Sequence, residues 1–247
     1  MKPAVCEPIH GILFDLDGTL LDIEMEPYIS GYVDGLARCF EDLTDRMVFA
    51  EVLISSAYAL FSNRDGEQTN EQFFLSMVAR QLGIGKHQLH QRLQHFYKEG
   101  LAALAHLVKP FPQSRAILQT CFDKNLKVAL ATNPVFPRPA IDARLRSAGL
   151  SDFPYHHISS YENSHYCKPN RYFFLDILAR LDLEPEQVIM IGNDTQYDLP
   201  AHHAGIATYL VDTRLIDHDQ LADQATYRGN HDDLLQFIRQ LPECRND

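Results

Sequence analysis

Four aspartates stand close behind two short apolar segments of the 247-residue chain. Asp15 and Asp17 follow the first of these segments, and Asp194 and Asp198 follow the second. A carboxylate can act as a nucleophile or transfer a proton, and its oxygens are ligands for hard cations. Several carboxylates gathered in one cleft would repel each other unless a cation held them together. Because few nitrogen or sulfur ligands accompany them, that cation is expected to be Mg²⁺ rather than zinc.

Three further polar residues could complete a site with these carboxylates. Thr132 and Asn133 follow a third apolar segment, and Lys168 lies in a loop before a predicted helix. They would add a hydroxyl, an amide and a cation. Each residue also has a purely structural interpretation, because Thr132 and Asn133 could cap a helix and a lone lysine is usually on the surface. Asp198 could likewise cap the helix that follows it.

The apolar segments before these residues predict the strands of a parallel sheet. Runs of four apolar residues without alternation are typical of strands that are buried on both faces. Such runs occupy residues 11–14, 128–131, 188–191 and 208–211, with a weaker signal at 157–160. Apolar residues at helical spacing lie between them, which indicates an α/β fold with a doubly wound parallel sheet. Ligands of such sheets bind beyond the carboxyl ends of the strands, so the polar residues above are expected to share one site.

Residues 22–110 interrupt this alternation of strands and helices. Thr69 and Gln72 have the spacing of a capping box, and Gly83 follows the apolar helical stripe after them. Other stretches of this region also show helical spacing. We therefore predict a smaller α-helical domain at 22–110, inserted into an α/β core that is made of residues 1–21 and 111–247.

The composition favours a small substrate over a polymeric partner. The formal net charge is −11, and no Lys/Arg-rich segment offsets it, so the surface would repel nucleic acid and anionic lipid. No segment approaches the ~20 apolar residues that a membrane span needs. The five cysteines have no paired spacing, which is typical of a reducing compartment. We expect a cytoplasmic protein without nucleic-acid or membrane partners.

The candidate residues also resemble the four sequence motifs of the haloacid dehalogenase superfamily. They occur in the family's order, as Phe14–Leu20, Thr132-Asn133, Lys168-Pro169, and Gly192–Asp194 with Asp198. The resemblance implies a Rossmann-like core with a helical cap between the first and second motifs. It further implies a Mg²⁺-dependent phosphatase that hydrolyses a small phosphorylated metabolite through a phospho-aspartate.

The resemblance implies a role for each motif residue. Asp15 would be the nucleophile, and Asp17 would protonate the leaving alcohol and later activate water. Mg²⁺ would be bound by the Asp15 side chain, the Asp17 backbone carbonyl and the Asp194 side chain. The other motif residues would bind phosphate or support the site: Thr132, Asn133 and Lys168 for phosphate, and Gly18, Asn193 and Asp198 in support.

Several alternatives remain at this point. The fourth motif commonly reads Gly-Asp, whereas here Asn193 takes the second place. Either Asp194 binds the metal, which the stronger affinity of a carboxylate favours, or Asn193 does so with Asp198 behind it. The protein could also be a phosphomutase, or a non-catalytic module that binds a phosphorylated ligand. Asp17 argues against a dehalogenase, because an alkyl halide needs no protonated leaving group.

Overall fold

The computed structural model of the chain describes residues 8–244. The two ends of the predicted core, residues 1–7 and 245–247, lie outside the described residues. The strands of the described part are β1 (Gly11–Phe14), β2 (Leu21–Ile23), β3 (Val108–Pro110), β4 (Lys127–Leu130), β5 (His157–Ile158), β6 (Val188–Gly192), β7 (Ala207–Val211) and β8 (Tyr227–Gly229). Its α-helices are α1 (Met25–Arg38), α2 (Arg46–Ser62), α3 (Asn70–Leu82), α4 (Lys86–Glu99), α5 (Ser114–Asp123), α6 (Arg138–Ser147), α7 (Arg171–Leu181) and α8 (His231–Gln240).

Six strands form one parallel sheet in the order β5-β4-β1-β6-β7-β8. Successive side chains of the central strand β1 point to opposite faces, as a pleated strand requires. Ile12 and Phe14 pack in the apolar cluster that includes α5, α6 and α8, whereas Leu13 packs in the cluster with α7. Helices therefore cover both faces, and the predicted doubly wound parallel sheet is confirmed.

The helical segment of the chain begins and ends with the two strands of a short antiparallel ribbon. Its strands β2 and β3 pair from Leu21 opposite Pro110 to Ile23 opposite Val108, and helices α1 to α4 lie between them in sequence. The sequence did not predict this ribbon, because strands of three residues are too short to show a period. The segment that holds α1 to α4 thus begins and ends at two adjacent strands.

The ends of α3 are set by the local signals that the sequence contains. The Thr69 hydroxyl accepts a hydrogen bond from the Gln72 backbone N–H at 3.2 Å, and the Gln72 side chain accepts one from the Thr69 N–H at 3.0 Å. The helix stops at Gly83, whose φ of 65° is in the left-handed region. The predicted capping box and glycine stop are confirmed.

The first turn of α3 is hydrogen-bonded to the loops that follow β4 and β5. Asn70 is fully buried, and its side-chain amide donates to the Pro134 carbonyl at 3.1 Å. Its backbone N–H donates to Ser164 and that of Glu71 donates to Tyr161, both at 2.8 Å. These loops also carry Asn133 and Lys168, so the helical segment is attached beside candidate site residues.

Within residues 8–244, no helix is both long and apolar enough to cross a bilayer.

Candidate active site at the carboxyl edge of the sheet

Eight of the predicted site residues line one cavity beyond the carboxyl ends of β1, β4 and β6. This cavity, called the site pocket below, has a volume of about 270 Å³. Parallel pairing brings the ends of the three strands to one edge of the sheet. The predicted residues in its lining are Asp15, Asp17, Thr132, Asn133, Lys168, Asn193, Asp194 and Asp198.

Lys168 lies between two carboxylates. Its Nζ donates to Asp15 Oδ1 at 2.7 Å and to Asp198 Oδ1 at 2.6 Å, and its side chain is 2% exposed. Burial would lower the pKa of this ammonium, but the charges of Asp15 and Asp198 outweigh burial and raise it. Lys168 therefore keeps its charge around neutral pH, directly beside the candidate nucleophile.

Asp198 connects Lys168 to the loop that follows β6. Its Oδ2 accepts hydrogen bonds from the backbone N–H groups of Asn193 and Asp194, each at 3.0 Å. The side chain makes no hydrogen bond to the N-terminus of the short 3₁₀-helix Leu199–Ala204. The interpretation of Asp198 as a side-chain cap for that helix is therefore wrong. Its contacts give it a supporting position behind Lys168.

Both the oxygen and the nitrogen of the Asn193 side-chain amide form hydrogen bonds. Its oxygen accepts from the Thr19 hydroxyl at 3.0 Å, and its nitrogen donates to the Arg214 carbonyl at 2.7 Å. The same amide packs against Gly18, where a Cβ atom would collide with it. Gly18 also has a φ of 88°, which only glycine adopts without strain. Asn193 thus holds the loop after β1 against the loop after β6.

Asp194 presents a carboxylate to the same pocket. Its Oδ1 accepts from the backbone N–H groups of Gln196 and Tyr197 at 2.7 and 3.1 Å. Its Oδ2 lies 3.7 Å from His218 Nε2, beyond hydrogen-bond distance. Of the two fourth-motif candidates, Asp194 therefore has the less engaged oxygen.

Thr132 and Asn133 do not cap the helix that follows them. The N-cap residue of α6 is Pro137, so the interpretation of the pair as a helix cap is wrong. Asn133 instead accepts a hydrogen bond from the Lys168 backbone N–H at 3.1 Å, and Thr132 is 4% exposed in the pocket wall. The loops of the second and third motifs are thereby joined.

Arg144 is a residue of the site that sequence reasoning missed. Its guanidinium forms a short ion pair with Asp17 Oδ2, and its side chain is 1% exposed. Two of its nitrogens, Nε and one terminal nitrogen, are buried without hydrogen-bond partners, and the guanidinium carbon lies 4.6 Å from the centroid of the Phe136 ring. A cation over an aromatic face is stabilised by the ring quadrupole. A signal was present, because Arg144 lies within the apolar stripe of Ile141 and Leu145.

The pKa of Asp17 is raised above its ordinary value, mainly because its carboxylate is buried. The Arg144 charge lowers this pKa and the Asp15 charge raises it, so the ion pair offsets only part of the effect of burial. Asp17 Oδ1 is buried without a hydrogen-bond partner, so one oxygen is held by Arg144 and the other is unpaired. An unpaired buried oxygen is energetically costly unless a ligand supplies a donor.

His231, at the start of α8, also contacts the loop after β1 and was missed by sequence reasoning. Its Nε2 lies 2.8 Å from the Thr19 carbonyl, and its Nδ1 lies 2.8 Å from the Thr213 hydroxyl. A carbonyl only accepts, so Nε2 carries the proton and Nδ1 accepts from Thr213. Burial lowers the pKa of His231, which favours this neutral form.

The donor set fits a hard dication. Within residues 8–244, no group of three or more His, Cys, Asp and Glu side chains is placed to hold a metal. The predicted set needs only two carboxylate side chains, those of Asp15 and Asp194, because its third donor is the Asp17 carbonyl. Four carboxylates line the pocket, whereas only Lys168 and Arg144 balance them. An all-oxygen site with surplus negative charge suits Mg²⁺.

The chain resembles known proteins over most of its length. It matches the family model of the haloacid dehalogenase-like hydrolases over residues 9–205. A phosphoglycolate phosphatase of Yersinia pestis is 27% identical to it over 205 residues, which cover 80% of this chain and 78% of that protein.

Solved structures with two different activities share its fold. A HAD phosphatase from Thermococcus onnurineus superposes with a TM-score of 0.60 at 19% identity, covering 96% of this chain and 100% of that one. The defluorinating L-2-haloacid dehalogenase Rha0230 superposes with a TM-score of 0.57 at 20% identity, covering 96% and 98%. At such identities a structural likeness shows the fold alone. Because the family model spans well over half of the chain, the chain belongs to the haloacid dehalogenase-like hydrolases, as its four motifs predicted.

Proposed function

We propose that the protein is a Mg²⁺-dependent phosphatase that transfers the phosphoryl group of a small phosphorylated metabolite to Asp15. The observation that supports this most is the pair of aspartates in one pocket, each held by its own buried cation. Lys168 contacts Asp15, and Arg144 contacts Asp17. The similarity to a phosphoglycolate phosphatase favours phosphate monoesters as the substrate class.

The proposed reaction has two half-reactions that balance in protons. In the first, an Asp15 oxygen bonds to phosphorus as the ester P–O bond breaks, and Asp17 gives its proton to the leaving alcohol oxygen. In the second, Asp17 takes a proton from water, whose oxygen attacks phosphorus and releases Asp15. Lys168 offsets negative charge on Asp15 and on the phosphoryl oxygens throughout. Thr132 and Asn133 line the same pocket and could hold the phosphoryl oxygens.

The chain offers residues for the metal as well. Asp15, Asp194 and the Asp17 carbonyl would hold Mg²⁺, which when bound would neutralise charge on phosphate and nucleophile. Asp194 is the better candidate than Asn193, since the amide oxygen of Asn193 already accepts from Thr19. We further propose that residues 22–110 form a cap, because Met25, Ile29 and Phe61 of this segment line the site pocket.

The mechanism is tested with Asp17→Asn and a nitrophenyl phosphate. Loss of a general acid–base typically costs about 10²–10⁴ in rate, but a nitrophenolate leaving group needs little protonation. We expect a burst of nitrophenol followed by slow turnover, with phosphate trapped on Asp15 and located by mass spectrometry.

Asp123→Asn, an exposed change on α5, is the matched control and should turn over normally. Asp15→Asn should trap no phosphate. Label on a histidine or serine would exclude the mechanism.

Metal dependence gives a second test. EDTA should abolish hydrolysis, and Mg²⁺ should restore it better than Ca²⁺, whose larger and looser coordination sphere would misplace the nucleophile. If Asp194 is the ligand, Asp194→Asn should raise the Mg²⁺ concentration for half-maximal activity at least tenfold, and calorimetry should show the weaker binding. Asn193→Ala should change that concentration much less. Full activity in EDTA would remove the metal from the proposal.

A further inference from the structure

A second cavity opens beside the site pocket. It lies between α1, α2 and the loop that follows β4, and its volume is about 380 Å³. Pockets that bind small molecules typically measure ~300–1,000 Å³. Five residues line both cavities: Ile29, Phe61, Val135, Phe136 and Tyr197. The two cavities therefore share a wall, and the larger one is called the aromatic pocket below.

The aromatic pocket has an uncharged lining. None of its sixteen lining residues is charged, and eight of them are phenylalanine or tyrosine. The hydroxyls of Tyr32, Tyr97 and Tyr161 lie close enough to influence one another's pKa. Burial raises the pKa of these three phenols above its ordinary value, so they remain neutral. The phenols therefore add no charge to the lining, and the surface offered to a ligand is largely apolar.

The cations of the neighbouring site pocket are already engaged. Lys168 is paired with Asp15 and Asp198. Arg144 is paired with Asp17, and although two of its nitrogens lack hydrogen-bond partners, its side chain is only 1% exposed and lines neither cavity. Among the described residues that line the two cavities, no further lysine or arginine is present. A negatively charged leaving group would lose its hydration without gaining a partner, which is strongly unfavourable. An apolar group would be stabilised by burial against the aromatic side chains.

We propose that the aromatic pocket binds the leaving group, and that the substrates are phosphate monoesters of uncharged, largely apolar alcohols with an aromatic or extended hydrocarbon part. This rests on the proposed function, because the alcohol reaches the pocket when its phosphate is at Asp15. Phe61 of α2 and Tyr197 of the loop after β6 stand at the shared wall with their ring centroids 5.6 Å apart. Phosphoglycolate, whose leaving group carries a carboxylate, is a poor substrate for such a pocket.

A series of primary alkyl phosphates tests the proposal. Ethyl phosphate and 4-phenylbutyl phosphate have leaving groups of similar basicity, so they differ mainly in the size of the apolar group that the pocket would bury. With Mg²⁺ present, kcat/KM should be roughly tenfold or more higher for 4-phenylbutyl phosphate, as expected for burial of several extra carbons. Phosphoglycolate should fall below ethyl phosphate.

Two variants on α2 test whether the aromatic pocket causes the preference for 4-phenylbutyl phosphate. Ala57 lines the aromatic pocket, whereas Ala59 of the same helix does not. Ala57→Trp should fill the cavity and bring the ratio of kcat/KM for 4-phenylbutyl over ethyl phosphate close to one. Ala59→Trp should keep the ratio of the unmodified protein. A ratio measured on one preparation is independent of the fraction of protein that is folded.

The outcomes separate the two proposals. A preference for phosphoglycolate, or an unchanged ratio in Ala57→Trp, would overturn the substrate class while leaving the phosphatase in place. If no ester released phosphate, the proposed function would be wrong. Calorimetry with non-hydrolysable phosphonate analogues of the two esters would then test whether the aromatic pocket binds the apolar group. Tighter binding of 4-phenylbutylphosphonate than of ethylphosphonate would then support the pocket assignment, and equal binding would overturn it.

Discussion

The electrostatics of the site depend most on Lys168, a buried cation in contact with two carboxylates. Lys168→Met should lower the free energy of unfolding by about 3 kcal/mol or more, because the Asp15 and Asp198 carboxylates are left buried without a neighbouring cation. Phosphatase activity should fall at least a hundredfold. Urea unfolding and steady-state kinetics measure the two effects.

A double variant distinguishes stability from function at this residue. Asp198→Asn removes one of the two unpaired charges, so Lys168→Met with Asp198→Asn should be more stable than Lys168→Met alone. Activity should not return, because Asp15 still lacks its cation. Recovery of activity together with stability would mean that Lys168 serves the fold and not the reaction.

Residue types and spacing predicted a large part of the candidate site. Eight residues chosen from the sequence line one pocket, because the ends of parallel strands meet at one edge whatever the connections between them. Arg144 and His231 were missed for a physical reason. Each contacts the loop after β1 from a helix more than a hundred residues away. The apolar stripe around Arg144 indicates that its side chain is buried, but no local pattern encodes which residue such a side chain contacts.

At the scale of elements, strong local signals were sufficient and weak ones were not. The buried four-residue runs and the Thr69 capping box gave β1, β4, β6, β7 and the start of α3. The ribbon of β2 and β3 and the short strand β8 carry little periodicity, and tertiary pairing determines them. β2 and β3 are strands because they pair with each other, and β8 because it pairs with β7.

The first turn of α3 allows a prediction about how the helical segment is held. Asn70→Ala removes the buried hydrogen bond to the Pro134 carbonyl, and such a loss costs about 1 kcal/mol or more. Because that carbonyl follows Asn133, we expect kcat/KM to fall several-fold. Gln72→Ala, on the same turn, removes only the local cap and should cost about 0.5–1 kcal/mol with kcat/KM nearly unchanged. Thermal unfolding and kinetics of both variants provide the measurement, and equal kinetic effects would contradict the prediction.

At the scale of the whole molecule, we expect His157 of the strand β5 to contribute to the loss of stability in acid. Burial lowers the pKa of its imidazole to about 4, and Arg180 and Arg138 act in the same direction. The ordinary value is about 6.5, so the unfolded chain binds this proton more readily. The contribution of His157 to stability is therefore fully present above pH 6.5 and is lost as the pH falls from 6.5 to 4.

Replacing this histidine should flatten the acid side of the stability profile. Over that window, each unit of pKa difference corresponds to about 1.4 kcal/mol. Between pH 7 and pH 5, His157→Leu should lose less free energy of unfolding than the unmodified protein does. Urea unfolding at the two pH values measures the difference, and identical losses would show that His157 is not responsible.

The attachment of α3 bears on whether the helical segment can be exchanged between relatives. A chimera joined only at the β2 and β3 ribbon would carry a foreign α3 to the host loops at Pro134 and at residues 161–164. A foreign residue in the place of Asn70 would lack the amide that donates to the Pro134 carbonyl, and the foreign backbone would not be fitted to the carbonyls of Tyr161 and Ser164. Transplanting substrate preference into this scaffold should therefore succeed only when those two loops are transplanted with the helices, so the exchangeable unit is larger than the inserted sequence.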